Sequence, residues 1–179
     1  MKQTINVFDY AGTICKAMSK GILLTTAHEG KVNTMTIGWG MVGVEWGKPI
    51  FLALVRESRH TKHMLDGNGE FTVNIPLENT DKAVLGYCGT RSGRDTDKIA
   101  DTNLTLEAPE AISVPGIREF PLTLECKVIY RQAQELSGIP AAILDRYYPQ
   151  DVEGAFPGSN RDYHIAFYGE IVNAYIITE

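Results

Sequence analysis

The chain has 179 residues, 44% hydrophobic and 22% charged, with a formal net charge of −5. That length buries one sizeable core, so a single domain spanning residues 1–179 is expected. The acidic balance argues against nucleic acid or an anionic membrane as the main partner, because both demand a basic footprint.

Met1–Tyr10 lacks the apolar stretch of a secretory leader, and the longest apolar run, Ile50–Val55, is far short of a membrane span. Cys15, Cys88 and Cys126 are odd in number and share no metal-ligand spacing. A reducing, cytoplasmic setting is the simpler expectation.

Ala11–Lys20 reads as a short helix stopped by Gly21, and Gly21–His28 as a strand that turns at Glu29-Gly30. Val32–Met41 alternates. Met35, Ile37, Trp39 and Met41 face one way as an ordinary core face, and Thr34, Thr36, Gly38 and Gly40 the other. A row of small residues weakens a strand; it suits a flat ligand against the backbone, or a crowded barrel interior. Gly47-Lys48-Pro49 turns the chain into Ile50–Val55, apolar on both faces and therefore buried on both.

The stretch Arg56-Glu57-Ser58-Arg59-His60-Thr61 joins that strand to a short helix ending near Gly67. Ser58 is a candidate N-cap, placing Arg59 and His60 in the first turn. A helix N-terminus with arginines beside it is a phosphate site; the alternative is a solvated loop in which Arg56 or Arg59 pairs with Glu57. Glu70–Ile75 is a further strand. Asn79 or Thr80 is expected to cap a helix through Cys88 that Gly89 stops. Thr90–Lys98 is a polar loop with a second basic patch, Arg91, Arg94 and Lys98, and Ala108–Gly116 is an irregular connection. Leu122, Leu124, Cys126, Val128 and Tyr130 alternate with Thr123, Glu125 and Lys127 in an amphipathic strand. A short helix near Ile143–Tyr148 precedes a Gly/Pro-rich loop, and Tyr163–Ile177 closes the chain as a long strand bent at Gly169. Strands dominate without strand–helix alternation, which indicates an antiparallel barrel decorated by helices.

Several tempting patterns fail on physical grounds. Gly38-Trp39-Gly40-Met41-Val42-Gly43 spells G-x-G-x-x-G, but β-branched residues and then Gly47 and Pro49 leave no room for the helix a dinucleotide turn requires. His60 and His63 have no third ligand at sensible spacing, so no metal is expected. Neither a nucleophile elbow nor a P-loop is present. His164, beside Asp162 and Tyr163, either orients a substrate or is a hydrogen-bonded strand-edge residue.

Four segments in order, Asn33-Thr34-Met35-Thr36-Ile37-Gly38-Trp39, Arg56-x-Ser58-Arg59-His60-Thr61, Ser92-Gly93-Arg94-x-x-Asp97-Lys98 and His164-x-x-x-x-Gly169-Glu170-Ile171-Val172, resemble the flavin-reductase-like family of FMN-binding split β-barrels, flavoredoxin-type proteins in particular. The resemblance implies a mainly β fold, a six-stranded antiparallel Greek-key split barrel with a few short helices, forming a homodimer with FMN near the subunit interface. It places Asn33–Trp39 along the isoalloxazine, Arg56, Ser58, Arg59, His60 and Thr61 at the phosphate, Ser92, Gly93 and Lys98 close to the cofactor, and His164 where nicotinamide approaches. It also implies an NAD(P)H-dependent oxidoreductase passing electrons to flavin or a downstream acceptor. The Pro140–Asn160 region departs from the family pattern; Tyr147 and Tyr148 there are expected to shape the open face, and the specificity that the region carries is left open. The alternatives are a non-catalytic FMN electron carrier serving a redox protein partner, and a binding module for another phosphorylated ligand.

Overall fold

The computed structural model describes residues 1–78, 81–153 and 160–178. The strands are β1 (Lys2–Thr4), β2 (Ile22–His28), β3 (Lys31–Ile37), β4 (Gly40–Glu45), β5 (Lys48–Arg56), β6 (Glu70–Ile75), β7 (Leu106–Glu107), β8 (Gly116–Ile117), β9 (Leu122–Ala133) and β10 (His164–Ile177). The helices are α1 (Ala11–Met18), α2 (His60–Gly67), α3 (Lys82–Thr90), α4 (Lys98–Asp101) and α5 (Ala141–Tyr147). The expected mainly β, antiparallel architecture is present, but the main sheet holds eight strands rather than six. Its order is β3-β2-β6-β9-β10-β5-β4, with β1 added along β10, and β7 pairs with β8 apart from it.

That order sets the shape. Laid flat, β3 and β4 would be six inter-strand steps apart, roughly 29 Å, yet only Gly38 and Trp39 separate them in sequence. A two-residue link spans at most about 11 Å between its flanking Cα atoms. The sheet therefore curls until its edges nearly meet. It does not close: β3 pairs with β2 and β4 with β5, and β3 and β4 form no ladder. The expected continuous strand Val32–Met41 is thus two strands on opposite edges of a split barrel. Gly40–Glu45 is a strand and not a helix, as the sequence required of that glycine-rich stretch.

The barrel interior is filled by the in-phase apolar residues, among them Leu24, Phe51, Val55, Phe71, Val73, Leu124 and Phe167. Helix α1 buries Ile14 and Met18 against this cluster. The polar face expected on β9 is not a solvent face. Thr123 and Glu125 are fully buried, with Thr72 and Asn74 on β6. The irregular segment after β7 lies over them: the Glu125 carboxylate accepts from the backbone N–H groups of Glu110 and Ala111, both at 2.7 Å, and Asn74 Oδ1 from Ile117 N–H at 2.9 Å. Alternation in one strand carries no information about a loop folded across it.

Asp81 caps α3 through the N–H groups of Ala83 and Val84. The cap candidates Asn79 and Thr80 lie outside the described residues. Gly89 does not stop α3, which runs on to Thr90. Gly169 sits at a register shift between β9 and β10, the bend that the sequence placed there. A Cβ at Gly169 would lie 2.5 Å from Phe71 Cζ and 2.9 Å from Cys126 Cβ, both in the core. Gly169→Ala should therefore overpack the barrel and lower stability by about 1–3 kcal/mol. The check is a reduced denaturant midpoint at unchanged slope; a variant as stable as the parent would mean that Phe71 yields freely.

Candidate functional site

Where the barrel splits, β3 ends, β5 hands over to α2, the loop between α3 and α4 folds in, and β10 begins. These segments enclose a cavity of about 340 Å³. It is lined by Asn33, Met35, Thr36, Ile37, Gly38 and Trp39 on one side and by Arg56, Ser58, Arg59, His60 and Thr61 on another. Ser92, Gly93, Lys98 and His164 complete the wall. Of the residues that the resemblance assigns to the cofactor or the nicotinamide, all but Thr34 are here. Thr34 is fully buried behind the wall, its Oγ1 donating to Leu24 O and accepting from Thr25.

The wall is the end of β3 rather than one face of it. Among the small residues, Thr36 and Gly38 line the cavity, whereas a Cβ at Gly40 would meet Leu52 O at 2.8 Å. Of the set expected in the core, Met35 and Trp39 line the cavity and Met41 is 60% exposed. Sequence reasoning missed Leu54, Cys88, Gly89 and Asp95 as wall residues and had Arg91 and Arg94 only as a basic patch on their loop. Leu54 was detectable: two residues before Arg56 on a strand, it shares that face.

The cations divide by what they touch. Arg56 is 8% exposed and holds three backbone carbonyls: Nη1 donates to Asn160 O and Asp162 O, and Nη2 to Tyr147 O. It ties the segment before β10 to β5 while still lining the cavity, so part of its guanidinium is committed to holding the wall. The Arg59 guanidinium makes no hydrogen bond or ion pair among the described residues; burial lowers its pKa, with Asp162 opposing. Lys98 is 5% exposed and donates to Thr34 O at 3.0 Å and Cys88 O at 2.8 Å, lashing β3 to α3. Burial brings its pKa down to about 8, so it is largely charged near neutrality. Arg94 Nη1 donates to Ser58 O at 3.1 Å.

The mouth of α2 also differs from the expected arrangement. Arg59, not Ser58, occupies the N-cap position and no side chain caps the helix. Ser58 instead donates its N–H to Asp162 Oδ2 at 2.8 Å. First-turn amides without a side-chain acceptor favour an anion. Beside them, Asn33 Nδ2 donates to Thr61 Oγ1 at 3.1 Å, while Asn33 Oδ1 and His60 Nδ1 are buried without partners. Burial lowers the His60 pKa, and Arg94, His63, Lys98 and Lys31 lower it further. Gly93 packs directly on these groups: a Cβ there would overlap Asn33 Oδ1. Orphaned polar atoms in a cation-lined cavity are an unfinished hydrogen-bonding set: Asn33 Oδ1 is satisfied only by a donor, whereas the cations around it favour an anion.

His164 stands at the other end. It is 6% exposed, Trp39 lies against it at 4.9 Å, and Nδ1 is 2.7 Å from Tyr148 Oη. Burial, then Arg56, lowers its pKa to about 4, so it is neutral near pH 7. Tyr147 meets Trp39 edge-on at 5.2 Å, but Tyr148 is 3% exposed and stands behind the wall.

Comparison with known proteins places this geometry. The sequence profile of the flavin reductase like domain matches residues 15–179. A curated protein of Archaeoglobus fulgidus, described as uncharacterized, is 32% identical over 99 residues, 55% of each chain, so the chain spans about half the length of that relative. Among solved structures, the flavoredoxin of Methanosarcina acetivorans is 28% identical with a TM-score of 0.62, over 88% of this chain and 68% of that one. The flavoredoxin of Desulfovibrio vulgaris (Miyazaki F) is 22% identical with a TM-score of 0.64, over 88% and 69%. A putative flavin reductase with a split barrel domain from Shewanella frigidimarina superposes with a TM-score of 0.66 at 17% identity, over 98% and 76%. Among the described residues, no helix is long and apolar enough to cross a membrane.

The His164 environment has a consequence for pH. The folded chain holds the ring near 4, whereas unfolding returns it to about 6.5. Between those values the unfolded state binds the extra proton, so stability falls as pH drops through that window and levels off below it. The loss is on the order of 3 kcal/mol. His164→Asn should remove this contribution. Comparing unfolding midpoints of both proteins at about pH 7 and about pH 5 checks it; parallel losses would assign the pH dependence to other groups.

Proposed function

We propose, for a chain that belongs to the flavin reductase like domain family, that the cavity binds FMN and that the protein is an oxidoreductase carrying electrons from NADH or NADPH to flavin or to a downstream acceptor. The observation that carries this reading is the coincidence, in one cavity, of an unengaged arginine, an uncapped helix start and the orphaned atoms Asn33 Oδ1 and His60 Nδ1. FMN offers what they lack: a phosphate dianion, and a flat ring whose edge carries both donors and acceptors.

In this assignment Arg59, Ser58, His60 and Thr61 take the phosphate, with Arg59 supplying the planar fork. Arg56, on the same wall, holds the turn in place through the backbone carbonyls it binds. Asn33, Met35, Thr36, Ile37, Gly38 and Trp39 would hold the ring, with Ser92 and Gly93 on the same cavity wall and the Lys98 ammonium supplying positive charge there. Thr34 contributes only through its carbonyl, which Lys98 holds. Met35, Leu54 and Trp39 exclude water. His164 faces the open side, where a reduced nicotinamide approaches. When bound, FMN supplies the hydride- and electron-accepting chemistry. The protein orients and tunes, and no general base is required of it.

A homodimer accompanies this reading. In register across the outer sheet, Tyr130, Tyr168, Leu52 and Met41 form one row. Tyr130 is 42% exposed, Trp46 packs edge-on to it at 6.0 Å, and together these residues make an apolar face of the kind a second copy covers. The unpaired Cys15, Cys88 and Cys126 suit a cytoplasmic setting.

The deciding experiment is a visible spectrum of the purified protein, followed by NADH and NADPH without oxygen. Flavin bands that bleach with either nucleotide are expected. Bands that persist would favour a non-catalytic electron carrier serving a protein partner. A colourless protein that takes up no FMN would overturn the flavin assignment in favour of another phosphorylated ligand. Arg59→Ala should weaken FMN binding by about 1.5–3 kcal/mol, the range for a hydrogen bond to a charged group. An unchanged affinity in titration would remove Arg59 from the phosphate site.

A further inference from the structure

Tyr148 belongs to the segment whose role the sequence left open, and it is among the most deeply buried residues of that segment. Its phenol oxygen has two partners. It donates to Gln134 Oε1 at 2.8 Å and lies 2.7 Å from His164 Nδ1. A phenol carries one proton, and Gln134 receives it. The contact with His164 must then run the other way, with Nδ1–H donating to the phenol oxygen. A neutral imidazole has a single N–H, so Nε2 keeps a bare lone pair. Nε2 has no partner among the described residues, and His164 lines the cavity.

The surroundings hold the ring neutral. Arg56 lies 5.0 Å above the Tyr148 ring and, with Arg59, opposes a positive charge on His164, whereas Asp162 favours one. Tyr163 packs against Tyr148 at 5.1 Å and helps to hold the phenol in its slot.

We propose that Tyr148 is a positioning residue that locks His164 in its Nδ1-protonated tautomer, so that this end of the cavity presents a neutral hydrogen-bond acceptor. A ligand group seated against Nε2 must donate an N–H or O–H; a group offering only lone pairs, such as a carboxylate, is refused despite the arginines nearby. The ligand clause rests on the cavity being the binding site assigned above. The tautomer itself does not depend on flavin.

The test is a long-range proton–nitrogen NMR correlation on the full chain labelled with 15N-histidine, near neutral pH. The His164 signals are identified by their loss in His164→Asn. The native ring should show a protonated Nδ1 and a pyridine-like Nε2. In Tyr148→Phe, which keeps the aromatic packing but removes the acceptor, the ring should move toward the Nε2–H form that free imidazole side chains prefer in water. A native ring protonated at Nε2 would overturn the proposal, as would a Tyr148→Phe ring still locked at Nδ1–H. If Tyr148→Phe does not fold, the native spectrum decides alone. Because the spectrum reads His164 and not flavin, a chain that binds no FMN yet shows Nδ1–H would defeat the functional reading and leave this one standing.

Discussion

Everything in this molecule follows from asking two residues to join the opposite edges of a seven-strand path. Gly38 and Trp39 cannot reach across a flat sheet, so the sheet rolls up, and the roll creates both the closed core and the gap beside it. The core is satisfied because the in-phase apolar residues of β2, β5, β6, β9 and β10 point into one volume. The gap is left because β3 and β4 diverge from the link without pairing. Backbone at such a divergence needs partners from elsewhere. One carbonyl, that of Thr34, finds a buried ammonium instead of a strand. The opening that makes a binding cavity and the cation that stabilises its rim have the same geometric origin.

Three basic side chains of similar sequence appearance end in three different states. Arg56 commits three of its donors to carbonyls of the chain, Lys98 splits its donors between two elements, and the Arg59 side chain remains unengaged among the described residues. A buried charge is tolerated only when its donors are matched. The first two are therefore structural before they are anything else, and the third is the one whose desolvation is still to be compensated. Asn33 repeats the division within a single amide, whose nitrogen is bonded and whose oxygen is not.

Much of this was legible in the sequence, and the failures are instructive. Strand alternation found β6, β9 and β10 and even the irregularity at Gly169, because period-two patterning and a lone glycine are local signals. The basic turn after β5 and the polar loop before α4 were recognised as binding elements, and they converge on one cavity. What escaped were facts decided by distant contacts. Ser58 reads as a cap, but Asp162 takes its N–H. Arg56 reads as a free cation, but the approach to β10 claims it. Glu125 reads as solvent-facing, but a loop some fifteen residues earlier donates two amides to it. The break at Gly38-Trp39 was hidden because both halves keep the same alternation while changing partners.

The chain contains two tryptophans, and the fold sends them to opposite sides of the split. Trp39 lies on the cavity wall against His164, whereas Trp46 stands on the outer sheet beside Tyr130 and Tyr168. The protein thus carries two built-in optical reporters in separate environments. Whatever enters the cavity alters the emission of Trp39, and whatever covers the outer sheet alters that of Trp46. Replacing either indole by phenylalanine leaves a chain with one fluorophore, so occupancy of the interior and encounters at the exterior become separable signals in a single unlabelled molecule.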